Sequence, residues 1–332
     1  MSNRQIICPM SWGSGAYIAN RYLEQYIPEY KLESYHPCWT LMPFALPLVA
    51  STKNAALIHT TPAYASFFHR KSTPLIITFQ NYFIDPWMRS YSSFAQRIHY
   101  STDLRLWIRR AVKKAHTITA VSKFTARLIQ HDLCATRPIR IIYNSVDLGS
   151  FTPKQCFAPN RKEIRVFYSG NLSRRKGSQW LLSIAKQLKK NICIYYTQGL
   201  RTRSRLPIYP QLKSIGPVSF EEMPERYREM DILLMPTVRE GFSLSVLEAM
   251  AGGLPVVASD CSSLPEQIEN GKGGFLCPVG DVKAFADKIN FLADSSKLRR
   301  EMGEYNRCKV ERFFSVHKMV KQYKELFEEV LS

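Results

Sequence analysis

The 332 residues are 45% hydrophobic and 22% charged, enough to bury substantial cores and better suited to two domains of ordinary size than to one. The most apolar run, "LMPFALPLVA" at 41–50, is about half a membrane span and is broken by Pro43 and Pro47, so no transmembrane helix is expected. Lysines and arginines exceed acidic residues by 19, a surplus that attracts polyanions such as nucleic acid, an anionic membrane or phosphorylated substrates without choosing among them.

In chain order, "MSNRQIICPMSWGSG" lacks the long apolar region and small-residue cleavage site of a signal peptide, so none is expected. Short runs rich in β-branched and aromatic residues predict strands at 5–9, 55–59, 74–79, 117–121 and 139–143 in the first half. Further strands are predicted at 164–169, 192–197, 231–235 and 255–259. Near-continuous apolar strands separated by helical patterns imply parallel sheets covered on both faces. The polar, Ser/Pro-rich stretch 145–163 reads as an interdomain linker. The pattern Val316, Met319, Val320, Tyr323, Leu326, Phe327 predicts an amphipathic helix over 314–331. The expected architecture is two doubly wound α/β domains, each able to bind a ligand at its strand C-termini. The eight cysteines (8, 38, 134, 156, 193, 261, 277, 308) form no CxxC pair and read as reduced, buried thiols of a cytoplasmic protein.

Three stretches carry chemistry. The first strand leads into Gly13 and Gly15, which fall short of a dinucleotide fingerprint and on their own read as a turn. In "RVFYSGNLSRRKGSQWLL", 165–182, a strand runs into Gly170, a turn with Arg174, Arg175 and Lys176, then Gly177 and a helix. That order suits a diphosphate cradle, or equally a solvated basic turn. In "EGFSLSVLEAM", 240–250, two glutamates flank an otherwise apolar helix start. Glu240 would lie beyond a strand's C-terminal end, where open α/β sheets place ligands, with Glu248 one to two turns into the helix. The other reading makes Ser245-x-x-Glu248 a capping box and Glu240 an acid favoured by the helix dipole.

Between these lie a long aromatic loop, "FQNYFIDPWMRSYSSF", and a helical stretch at 97–116. Its core stripe is Leu104, Ile108, Ala111, Val112 and Ala115, with Arg105, Arg109, Arg110, Lys113 and Lys114 over much of the rest and Trp107 beside them. A basic helix face near aromatics suits an anionic membrane surface, and equally an ordinary solvated face.

In this order the motifs resemble glycosyltransferase family 4, the retaining enzymes of the GT-B fold, over nearly the whole chain and most strongly from 164 to 280. The paired-glutamate segment carries the resemblance, with "LPEQIENGKGGFLCPVGD" and its Glu266 as its continuation, and "TITAVSKFTARLI" and "IRIIYNSVDLGSF" before the linker. It implies two Rossmann-like domains facing a central cleft. Residues 1–150 would form the acceptor side, with helix 314–332 packing back on them, and 151–313 the donor side.

The resemblance further implies roles. Glu248 would bind the nucleotide ribose, Glu240 would lie against the donor sugar, and Lys176 would bind the diphosphate. Gly170 and Asn171 belong to the loop beside it, and the amides of Gly241, Phe242, Ser243 and Leu244 would hold phosphates and sugar hydroxyls. Asn171 stands where the family usually has arginine, so Arg174 or Arg175 would supply that charge. Gln80, followed by Asn81, stands where a histidine is common; with Gly13 and Gly15 these mark the acceptor side. No Asp-x-Asp occurs, so no metal or other cofactor is expected. Base selectivity would come from backbone around "SIGPVSF", 214–220.

The expected activity is transfer of a sugar from a UDP- or GDP-sugar to a glycan or lipid-linked acceptor, in lipopolysaccharide or surface polysaccharide assembly. The protein would work at the inner face of the plasma membrane, bound peripherally to anionic lipid, with no nucleic acid partner. The alternatives are a nucleotide-sugar epimerase of the same fold and a non-catalytic basic polyanion-binding protein.

Overall fold

The computed structural model describes residues 5–133, 137–154, 162–198 and 205–332; Cys134, Cys156 and the 155–161 part of the expected linker lie outside them. The chain divides into two compact units, Met1–Asn144 with Val316–Ser332, and Ser145–Ser315.

The first unit is built on β1 (Ile6–Ser11), β2 (Tyr30–Tyr35), β3 (Leu57–Thr60), β4 (Leu75–Phe79), β5 (Thr117–Ala120) and β6 (Ile139–Ile141), in the order β2-β1-β3-β4-β5-β6. All neighbours are parallel. Interior strands β3 and β4 are buried along their whole length, as a sheet covered on both faces requires. A chain of buried polar groups crosses this sheet. The Tyr30 hydroxyl meets His59 Nδ1 at 2.7 Å, His59 Nε2 meets the Thr78 hydroxyl at 2.7 Å, and Thr78 meets Thr119 at 2.6 Å. Burial pushes the His59 imidazole down to about 3, so it stays neutral and its two ring nitrogens serve one donor and one acceptor. The helix Val316–Leu331 buries the six apolar residues its periodicity marks, and stacks Phe327 on Tyr30 at 5.8 Å.

The second unit carries β7 (Ile164–Tyr168), β8 (Ile192–Tyr196), β9 (Leu212–Ser214), β10 (Ile232–Met235), β11 (Val256–Ser259) and β12 (Gly274–Cys277). They are ordered β12-β11-β10-β7-β8-β9 and again parallel. The chain starts mid-sheet at β7, winds outward through β8 and β9, then returns to lay β10 on the other side of β7. That reversal between β7 and β10 is the switch point at which doubly wound sheets open a crevice for ligands.

The strands absent from the sequence reading are β2, β9 and β12, each at a sheet edge. An edge strand has less area to bury, and β2, "YKLESY", alternates with charged residues that keep its free edge from pairing elsewhere. The helical stretch 97–116 is two helices, Phe94–Ser101 and Asp103–Lys114, with the backbone breaking at Thr102 (φ −108°, ψ −95°). The start of the expected linker is packed: Val146 N–H donates to Phe314 O at 3.1 Å, and Phe151 is buried edge-on to Tyr227. The described cysteines are free thiols, but Cys38 and Cys308 are exposed, unlike the buried set expected.

Candidate functional site

Two loops meet at the C-terminal ends of β7 and β10. The first leaves β7 through Gly170, whose φ of +139° lets the chain turn and whose amide donates to the Thr197 hydroxyl at 2.9 Å. It closes as a short turn, Arg174–Lys176, capped by Ser173 and ended by Gly177 at φ +79°. Only glycine suits that last position: a Cβ on Gly177 would fall 1.9 Å from the Pro236 carbonyl oxygen. The close approach brings the basic turn onto the β10 loop, where Val238 N–H and the Thr237 hydroxyl both donate to Arg175 O at 2.9 Å.

Glu240 lies at the centre of this contact, 6% exposed. Its Oε1 takes an ion pair from Lys176 Nζ at 2.8 Å and another from Arg175 Nη1 at 3.2 Å, and lies 2.9 Å from the Thr237 hydroxyl, whose single proton it shares with Arg175 O. Burial opposes its charge, but the Lys176 ammonium and the Arg175 guanidinium outweigh it and hold the carboxyl below the usual range. Lys176 feels the converse: burial draws its ammonium down and Glu240 resists. Two cations against one carboxylate leave the pocket electropositive. Arg175 therefore joins this cluster, whereas Arg174 is exposed and among the described residues makes no side-chain hydrogen bond or ion pair. Asn171 lies at the start of the loop, its carbonyl accepting from the Tyr168 hydroxyl at 3.2 Å.

The helix Leu244–Ala251 starts three residues beyond Gly241, and its N-cap is Ser243, whose hydroxyl accepts from Val246 N–H at 3.4 Å. This overturns the Ser245–Glu248 capping box. Glu248 is 8% exposed and accepts instead from the Tyr227 hydroxyl at 2.8 Å. Burial pushes its carboxyl up to about 7, against the pull of Tyr227 and Lys176. One expected ligand amide is already engaged. Ser243 N–H donates to Gln267 Oε1 at 2.9 Å while Gln267 Nε2 donates to Ser243 O at 2.9 Å, a two-point clamp by a fully buried side chain. The clamp fixes the loop's path instead of presenting that donor. Leu244 remains half-buried at the helix start, Gly241 is buried, and Phe242 is buried edge-on to Phe314 at 5.1 Å.

Thr237, Tyr227, Gln267 and Ser262 were not legible as site residues. Ser262 accepts Glu240 N–H at 3.0 Å and holds a left-handed backbone, φ +51°, that side chains other than glycine's seldom adopt. Only Thr237 had a sequence signal, its spacing of three from Glu240; the others come from distant segments. Gly13, Gly15, Gln80 and Asn81 belong to the first unit. Gly13 (φ +75°) and Gly15 follow β1, with Ser14 capping the helix Gly15–Tyr26. Gln80 and Asn81 follow β4, and Asn81 Oδ1 accepts from Tyr82 N–H at 2.8 Å. The two pairs stand beyond β1 and β4, separated by β3 in the sheet order.

A family model described as Glycosyltransferase Family 4 matches residues 6–150, and one described as Glycosyl transferases group 1 matches 163–295. The chain is 39% identical over 237 residues to N-acetyl-alpha-D-glucosaminyl L-malate synthase of Bacillus anthracis, covering 68% of this chain and 62% of that protein. It is 29% identical over 231 residues to the amylovoran biosynthesis glycosyltransferase AmsK of Erwinia amylovora, covering 61% of this chain and 54% of the relative. The matches thus span less than two thirds of these relatives' own lengths. Among solved structures, a sucrose-phosphate synthase from Thermosynechococcus elongatus superposes with a TM-score of 0.82 at 16% identity, over 98% of this chain and 99% of that one. Anabaena HepE in complex with UDP-glucose gives 0.76 at 18% identity over 98% and 99%. At these identities the likeness speaks for the fold.

Proposed function

The chain belongs to glycosyltransferase family 4, and on that premise we propose that it is a retaining transferase, independent of metal, that moves a hexose from a UDP- or GDP-sugar to a lipid-linked glycan acceptor. The observation that carries this reading is the buried Glu240–Lys176–Arg175 cluster at the switch point, with Glu248 about one turn along the adjoining helix. The nucleotide-sugar named in the HepE complex supports the donor class, and the polysaccharide role in the amylovoran relative's name supports surface polysaccharide or lipopolysaccharide assembly.

In this reading the diphosphate enters beside Lys176 and Arg175, whose charge exceeds that of Glu240. As the bond from the sugar's anomeric carbon to the diphosphate breaks, these cations and the first amides of the Leu244 helix meet the developing negative charge. The acceptor hydroxyl bonds to the same face of that carbon and passes its proton to a departing phosphate oxygen. Glu240 orients the sugar with the oxygen its partners leave over, and Glu248, ionised, accepts from the ribose diol.

Peripheral attachment to anionic lipid is proposed from the first unit's surface. Phe94 is 77% exposed and stands with exposed Trp87, Ile98 and Leu106 near exposed Arg109, Arg110, Lys113 and Lys114. Among the described residues no helix is long and apolar enough to cross a membrane. Co-sedimentation that shows no preference for anionic over neutral liposomes would remove this part.

The donor site is tested by thermal shift with UDP, GDP, ADP and CMP in EDTA, on wild type and Glu248→Ala. A ligand at a hundred times its dissociation constant stabilises by about 2.7 kcal/mol. One nucleotide should stabilise wild type and not the variant; equal shifts in both, or none, would overturn the site.

A further inference from the structure

The first unit holds a cavity of about 370 Å³ that has no part in the donor site. It opens between the loop after β4 and the two helices Phe94–Ser101 and Asp103–Lys114, and Arg89, Arg97 and Arg105 all line it. Two carboxylates face it as well, and their commitments decide its sign. Asp132 is spent: Arg105 Nη2 pairs with it at 2.5 Å, and the Tyr82 hydroxyl donates to its other oxygen. Asp85 is buried and caps its own turn, accepting from Met88 N–H at 3.3 Å. Arg97 uses Nε to bond Ser92 O at 3.1 Å, which anchors the guanidinium while its two terminal nitrogens make no intrachain hydrogen bond among the described residues. The Arg89 side chain likewise has no hydrogen bond or ion pair among them. Phe83 and Tyr100, stacked at 6.5 Å and 21°, supply an apolar wall.

We propose that this cavity is a binding site for a phosphate ester, whose dianion Arg89 and Arg97 grip through their open forks while the carbon skeleton lies on the Phe83–Tyr100 wall. Planar guanidinium forks match phosphate oxygens in pairs, which a solvated lysine cluster does not. Three arginines against two carboxylates leave an excess of one positive charge, and the two arginines with open nitrogens carry it. The ester is either a soluble metabolite or the headgroup of a lipid. The inference does not depend on the transferase reading, because its test reads binding and not turnover.

The test titrates the full chain with glycerol 3-phosphate by calorimetry, and in parallel with vesicles of phosphatidylcholine containing phosphatidate. The double variant Arg89→Gln/Arg97→Gln is compared with Lys297→Gln/Arg300→Gln, which removes the same charge from exposed positions of the second unit, away from the cavity and from the basic face of the helix Asp103–Lys114. Both pairs are exposed, so folding should survive, and a melting curve checks it. The expected result is a loss of at least tenfold in affinity for the first variant and less than twofold for the second. Binding of glycerol 3-phosphate identifies a soluble ester. Binding to phosphatidate vesicles alone, with the same dependence on Arg89 and Arg97, identifies a lipid headgroup. No binding of either probe to wild type, or equal losses in the two variants, would overturn the site.

Discussion

Glu240 and Lys176, 64 positions apart in the chain, pair at 2.8 Å. The contact exists because β7 and β10 are neighbours in the sheet, and because Gly177 lets the basic turn press against Pro236. A buried carboxylate and a buried ammonium each keep the other charged. Replacing Glu240 by Gln should lower turnover at least a hundredfold, with nucleotide affinity changed only a few-fold; turnover within a few-fold of wild type would remove Glu240 from the chemistry. Lys176→Met should cost no more than about 3 kcal/mol, the lower end for breaking a buried pair, because Arg175 still faces the carboxylate. Urea midpoints with an unchanged slope give that number.

Gly177→Ala tests the backbone device. At φ +79°, with Pro236 O in the way, the added methyl should destabilise by more than about 2 kcal/mol and open the loop contact. Gly216 makes the comparison: it has φ +75° but open space around its Cβ position, so Gly216→Ala should cost only the backbone strain, about 1 kcal/mol.

Glu248 predicts a pH dependence of nucleotide binding. Its carboxyl is pushed up to about 7 by burial, so it is protonated below that pH and ionised above it. Affinity for the nucleotide should therefore rise between pH 6 and pH 8. Tyr227 donates to the charged form, so Tyr227→Phe should move the midpoint to higher pH, and Glu248→Gln should flatten the curve. Isothermal titration at several pH values reads all three.

His59 predicts acid sensitivity of the first unit. Its folded value is about 3 and its ordinary value 6.5, so as pH falls below 6.5 the unfolded chain binds a proton that the folded one refuses. The stability due to neutral His59 is complete above pH 6.5 and declines as pH drops toward 3, by up to about 1.4 kcal/mol per pH unit. Denaturation midpoints from pH 7 to 4 should fall less steeply in His59→Gln, which keeps one donor and one acceptor for Tyr30 and Thr78.

Gln267→Leu should lower nucleotide affinity without touching any ligand group. The variant leaves Ser243 N–H and C=O buried without their clamp, a cost of about 1–3 kcal/mol, and frees the loop that carries Glu240. Loss of stability with unchanged affinity would assign Gln267 to the fold alone.

By itself the sequence determined the fold class, the interior strands and the chemistry-bearing segments. Strands buried on both faces must be apolar throughout, so β3, β4, β7, β10 and β11 announce themselves, as does the one-sided helix Val316–Leu331. Glycine and charge placed the Gly170–Gly177 turn and the Glu240–Glu248 segment beyond strand ends for the same local reasons. Tertiary structure alone decided the rest. Edge strands β2, β9 and β12 are set by a neighbour's free hydrogen-bonding edge more than by their own periodicity. That Arg175, and not Arg174, meets Glu240 depends on which way a three-residue turn faces its neighbour strand. Tyr227 on Glu248, Gln267 on Ser243 and Ser262 under Glu240 join segments 21 to 24 residues apart in chain and adjacent only once the sheet is wound. Local propensity acts over a turn or a strand, whereas the partners of a buried charge come from whatever the topology brings beside it.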